Sequence, residues 1–213
     1  MAKYKKGILG SFSGTIGNVV GATWRGIAYM RSKPSRVNNP NTEAQQIQRQ
    51  KFSLVAEFLR LLKPIIKLGF KTGYQHLTEI NRASSYNLKN AITGVFPDQE
   101  LDYQSVLLSR GDLTPSLDPA AAAGAPGEVS ITWSENTGVG SAKADDKVMV
   151  AIYNPAKNSA FYTTDAAVRS DGYYDAVLPL EYVGDTVECY IALVSADGKE
   201  ASNSEYLGSV TVA

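Results

Sequence analysis

Residues 5–52 read KKGILGSFSGTIGNVVGATWRGIAYMRSKPSRVNNPNTEAQQIQRQKF, and the fold turns on how this stretch is taken. Gly7, Gly10, Gly14, Gly17, Gly21 and Gly26 step by three, four, three, four and five residues, the spacing of a small-residue helix face. A helix so rich in glycine loses about 1 kcal/mol at each one. Between the glycines lie Ile16, Val19, Val20, Thr23, Trp24, Ile27, Tyr29 and Met30, which favour strands. The stretch predicts two or three short, twisted strands, with glycine at bulges, turns or points where another backbone comes close. Such strands, poor in core contacts of their own, are stable only when paired with the rest of the chain or with a neighbouring copy. In the second case the six glycines mark a self-association surface, because glycine lets two backbones approach closely.

Working outward, Arg31 to Arg36 form a basic connector, and Pro34 and Pro40 favour extended backbone before them. A helix start follows: Asn41 or Thr42 can cap, and Glu43 places negative charge in the first turn. Ile47, Phe52, Val55, Phe58, Leu59 and Leu62 recur at helical spacing and predict the buried stripe. Pro64 kinks this helix or begins a new one, with Gly69 and Gly73 closing it. A second helix is predicted over Gln75–Ile92, stopped by Gly94. From about Asp102 the period becomes two. Strands are predicted at 105–109, 128–134, 147–153, 159–163, 172–178, 186–194 and 205–212, enough for a sandwich. The low-complexity stretch PAAAAGAPG (119–127) reads as a loose loop. The expected fold class is α+β: glycine-rich N-terminal strands and two or three helices in a basic domain (1–100), then an all-β immunoglobulin/fibronectin-like sandwich (101–213).

Composition narrows the function. The 213 residues balance 21 Lys/Arg against 21 Asp/Glu, yet the charges are unevenly divided. Residues 1–72 carry 13 Lys/Arg against Glu43 and Glu57, a net of +11, and residues 73–213 carry −11. The front half therefore suits a polyanion or the acidic back half of a neighbouring copy. No apolar run reaches the ~20 residues that span a bilayer, and the glycines break up any signal-peptide core after Lys3, Lys5 and Lys6. A cytoplasmic or virion-associated protein with no membrane partner is the expectation.

Catalytic groups are scarce. His76 is the only histidine and Cys189 the only cysteine, which leaves no base for a nucleophile and too few ligands for zinc or haem. Cys189 lies in the alternating run VECYIALV, where a small buried residue is expected. No phosphate-binding glycine loop is present. Asp145 and Asp146 read as solvated charges on a turn, a weak calcium site being the alternative. Arg110-Gly111-Asp112 matches the cell-adhesion tripeptide, but three residues match often by chance. The expectation is no enzyme activity, no cofactor and no metal.

VECYIALVSADGKEASNS (187–204), together with Trp133, resembles the last two strands of a fibronectin type III domain. That likeness implies a sandwich over residues 103–213 and no activity. The whole chain also resembles an uncharacterised Bacteroidota family, a domain of unknown function. The residues that carry this are KKGILGSFSGTIGNVVG (5–21), WRGIAYMRSKP (24–34), NNPNTEAQQIQRQKF (38–52), YNLKNAITG (86–94), LLSRGDL (107–113) and ITWSENTGVGSAKADDKVMVAIYNP (131–155). Residues 38–52 are in addition similar to segments of phage structural proteins, which implies an assembly setting.

Two readings follow. The first is a non-enzymatic structural protein, a homo-oligomer or part of a larger assembly, joined through the glycine-rich strands. The second is a nucleic-acid-binding module that uses Arg25, Arg31, Lys33 and Arg36 beside Trp24 and Tyr29. Strand alternation favours Trp24 and Tyr29 as the core of the front sheet, with the basic residues at its surface.

Overall fold

In the computed structural model, which describes residues 3–4, 10–24, 26–36, 39–71 and 77–213, the chain divides into two compact units, Met1–Thr42 and Glu43–Ala213. The division expected near residue 100 thus falls ahead of the helices. The reason is packing: the apolar stripe of the first helix closes on the sandwich. Val55, Phe58, Leu59, Leu62, Ile65 and Ile66 share one buried cluster with Ala151, Tyr153 and Tyr190.

The first unit is an antiparallel sheet in the order β1 (Lys3–Tyr4), β2 (Phe12–Ile16), β3 (Val19–Trp24) and β4 (Ile27–Ser32). Two-residue turns join its hairpins, Ile16 facing Val19 and Trp24 facing Ile27. Gly17 and Gly26 sit in those turns at φ 56° and 85°, a left-handed backbone that glycine adopts without penalty.

In the second unit, α1 (Glu43–Leu61) buries Val55, Phe58 and Leu59. Phe52, expected in the same stripe, is 55% exposed. Pro64 begins the new helix α2 (Lys63–Gly69), where its missing N–H costs nothing. The next helix, α3 (Glu79–Asn90), is shorter than expected and is capped by Thr78, whose hydroxyl accepts from the Asn81 N–H at 3.3 Å. Gln75 and Gly73 lie outside the described residues. Ile92 leaves the helix to pair with Leu101 in the hairpin β5 (Ile92–Thr93)–β6 (Glu100–Leu101), and Gly94 turns that hairpin at φ 78°.

The strand expected at 105–109 is instead an irregular strap, because its backbone bonds go to side chains. The Leu107 N–H donates to Asn87 Oδ1 at 2.9 Å and the Leu108 N–H to Ser204 Oγ at 2.9 Å. The sandwich proper has a three-stranded sheet, β11 (Tyr173–Val177)–β8 (Glu128–Ser134)–β7 (Leu117–Ala123). Facing it is a four-stranded sheet, β10 (Ser159–Thr163)–β9 (Lys147–Asn154)–β12 (Thr186–Val194)–β13 (Glu205–Thr211). Val129, Ile131 and Trp133 meet Val150, Ile152, Ile191 and Leu193 between them. The alanine run read as a loose loop is strand β7: Ala120 to Ala123 pair with Thr132 to Val129. Alanine has little strand preference of its own, and here the ladder offered by β8 overrides it.

One end of the sandwich is closed by a buried ion pair. Arg169 and Asp146 are both fully buried, Nη2 to Oδ2 at 3.0 Å. The guanidinium also donates to Asn136 Oδ1 at 2.7 Å and to the carbonyls of Thr114 and Pro115 at 2.7 and 3.0 Å. The Trp133 indole N–H donates to the Arg169 carbonyl at 2.8 Å. Asp146 is therefore a structural ion-pair partner and not the solvated charge expected, while Asp145 stays exposed. A carboxylate leaves water only where charged and neutral donors meet it together.

Candidate assembly sheet

The front sheet sorts its side chains by register. Cross-strand partners share a face, so Trp24, Ile27, Tyr29 and Arg31 lie on one side with Val20 and Ala22. Phe12, Ile16, Val19 and Met30 lie on the other. Both sides are open: Trp24 is 62% exposed and Met30 70%, and Ile16, Val19, Ile27 and Tyr29 are exposed as well. All six residues of β4 are exposed. Trp24 and Tyr29 were expected to fill the core of this sheet; both are instead exposed, because a single layer of strands encloses no core between two faces.

The glycines named from the sequence meet demands inside the chain. An added Cβ at Gly21 would collide with the carbonyl oxygen and ring of Phe12 on the neighbouring strand. Gly14 takes φ 117° opposite Gly21, and Gly17 and Gly26 turn the hairpins. Gly10 is half-buried ahead of β2. Gly7 lies outside the described residues. The exposed surface of this sheet is made instead by the apolar side chains between the glycines, which the spacing argument passed over. Arg31, Lys33 and Arg36 are exposed. The Lys33 N–H donates to the Asn18 carbonyl at 2.7 Å, tying the end of β4 to the first hairpin. Arg25 lies outside the described residues.

The structural division falls within the basic front half, ahead of a helical stretch, residues 43–72, that is itself net +4. Residues 1–42 hold seven Lys/Arg and no Asp or Glu, and residues 43–213 carry a net of −7. The basic unit is thus a single-sign surface interleaved with aromatic and aliphatic side chains.

Other groups singled out by type have structural surroundings. Cys189 is fully buried in the sandwich core, and burial pushes its thiol up to about 12, which favours the protonated thiol at neutral pH. His76 lies outside the described residues. In the RGD tripeptide the Arg110 N–H donates to the Gly69 carbonyl at 2.9 Å, and its guanidinium lies 5.6 Å from the Tyr86 ring. A Cβ on Gly111 would strike the Ala201 carbonyl, so the tripeptide lies flat against the body. Among the described residues no three His, Cys, Asp or Glu side chains gather to hold a metal. No helix among them is long and apolar enough to cross a membrane.

Strand order and helical buttress define the class: an α+β protein in which a three-plus-four-stranded β-sandwich follows, in sequence, a basic four-stranded sheet. By sequence the chain belongs to the family of unknown function DUF6266, whose model matches residues 11–208. No curated protein matches it. Among solved structures it is similar to the solution structure of the fn3 domain of the human collagen alpha-1(XX) chain. That match has 11% identity over 47% of this chain and 86% of that one, with a TM-score of 0.36; at that score it bears on no functional argument.

Proposed function

We propose that this chain is a non-enzymatic structural protein that self-associates through its N-terminal sheet and displays the sandwich. The observation that carries this reading is the sheet with large apolar side chains exposed on both faces. A contiguous surface of that kind marks a contact site. The occupant is a second copy, selected by charge: a +7 unit on a chain whose remainder is −7 is complementary to its neighbour's body. Sheet-to-body contact is heterologous, so it propagates into a ring or a filament, as a virion-related setting would require.

Light scattering coupled to size exclusion, at low and high salt, tests the reading. The intact chain is expected to give a defined oligomer or filament free of nucleic acid. Trp24→Ser with Met30→Ser should shift the midpoint of association at least tenfold in concentration. A monomer at high concentration in low salt overturns the proposal.

The exposure of Trp24 and Tyr29 on the face that carries Arg31 supports a second reading, in which the sheet binds nucleic acid by stacking and phosphate contact. That reading requires a high 260/280 nm absorbance ratio that salt removes, and loss of binding when Arg25, Arg31, Lys33 and Arg36 become alanine.

A further inference from the structure

A second surface, on the body, is short of hydrogen-bond donors. A cleft of about 430 Å³ opens between α1, the β5–β6 hairpin and the turn after β9, lined by Glu57, Phe58, Gln99, Glu100, Tyr103 and Tyr153 among others. Its floor is aromatic. Phe58 meets Tyr153 edge-on at 4.9 Å between ring centroids, and Tyr103 lies 5.6 Å from Tyr153. Two of its donors are already committed. The Tyr153 hydroxyl donates to Asn158 Oδ1 at 3.1 Å, and Asn158 Nδ2 donates to Glu57 Oε1 at 2.6 Å.

Acceptors remain in excess. Glu57 and Glu100 are exposed at the rim, and neither forms an ion pair among the described residues. Gln99 is only 7% exposed, and its Oε1 is buried with no hydrogen-bond partner. A buried acceptor left unpaired is destabilising, and a donor that reaches it relieves that cost. The local field has the matching sign. Burial chiefly, with Tyr103 and Glu57 adding to it, pushes the Tyr153 phenol up to about 12. Burial, then Glu188 and Glu100, raises Tyr103 against the lowering effect of its bond to Tyr153.

We infer that this cleft is a socket for a cationic side-chain head, a guanidinium or ammonium, supplied in the assembly by Arg31, Lys33 or Arg36 of a second copy. A guanidinium brings five N–H donors and no acceptor, pairs bidentately with a carboxylate and tolerates an aromatic neighbour. A hard divalent cation instead needs six or more oxygen ligands, more than two rim carboxylates provide. The source of the cation rests on the self-association reading; the chemistry of the cleft does not.

The test uses the full chain and two readouts. The probe is N-acetyl-arginine methylamide, titrated by calorimetry or NMR, with the uncharged N-acetyl-norleucine methylamide as control. Glu57→Gln with Glu100→Gln keeps size and an acceptor oxygen at each position, and its thermal midpoint verifies the fold. Saturable binding of the arginine probe alone is expected, weakened at least tenfold in the double variant. The same variant should raise the midpoint concentration of association at least tenfold at low salt.

Equal or absent probe binding in both proteins, with association intact, overturns the socket and leaves self-association standing. Probe binding that the variant abolishes, on a chain that stays monomeric at every concentration, overturns the assignment to a second copy. In that case a free amine or guanidine is the ligand, and the self-association reading falls separately.

Discussion

The chain has two tryptophans, and their fates differ. Trp133 on β8 is 5% exposed, with its ring among core residues and its N–H on the Arg169 carbonyl. Trp24 on β3 is 62% exposed, on a sheet whose four strands form one layer. Both lie on strands with strand-favouring neighbours, so local preference is the same at the two sites. What differs is the presence of another sheet about 10 Å away to cover the face. The sandwich encloses its own core, while large apolar side chains of the front sheet stay exposed. The same contrast holds for charge: the sandwich buries an Arg–Asp ion pair, while the front sheet carries cations with no acid in its unit.

The largest expected effect breaks the sandwich side of this contrast. Arg169→Leu leaves Asp146 buried without its partner and should cost about 3–5 kcal/mol, read as a lower urea midpoint at unchanged slope. Next comes a matched pair of apolar truncations. Ile191→Ala in the sandwich core should cost about 2–5 kcal/mol. Met30→Ala in the front sheet should leave the main unfolding transition within about 0.5 kcal/mol while weakening association. Similar stability losses at the two sites would mean that the sheet is covered within its own chain, and the contrast would collapse.

The smallest effect depends on pH. Lys157 and the Asn154 amide hold the Asp185 carboxyl below its ordinary 3.8. A lowered folded-state value stabilises the protein above the unfolded value, and that contribution is lost as pH falls through the folded one. Asp185→Asn should therefore lower the melting temperature slightly at pH 7 and not at pH 2. An equal shift at both pH values would show that the role of Asp185 is independent of its charge.

Much of this was legible in the chain. Alternating runs located β8, β10 and β12 to the residue, and the Pro40–Glu43 signals located the start of α1. Cys189 was placed in the core because its run alternates. Other elements were not legible. Ala120–Ala123 carry no strand signal and form one only because β8 offers a free edge. Residues 106–109 carry a strand signal and form none, because Asn87 and Ser204 take their backbone groups. Asp146 looked like its neighbour Asp145, and only the arrival of Arg169, 23 residues on, sets it apart. The acceptors of the cleft come from α1, the β5–β6 hairpin and β9, so no local window contains them.

Period and composition by themselves determined the kinds of element, six of the seven sandwich strands, the basic front and the glycine turns, because each depends on residues within a few positions of one another. Tertiary structure alone decided that the helices belong to the sandwich, that Trp24 and Tyr29 stay open while Trp133 is buried, and that Arg169 closes one end. Burial is a property of two surfaces meeting, and a sequence pattern describes only one of them.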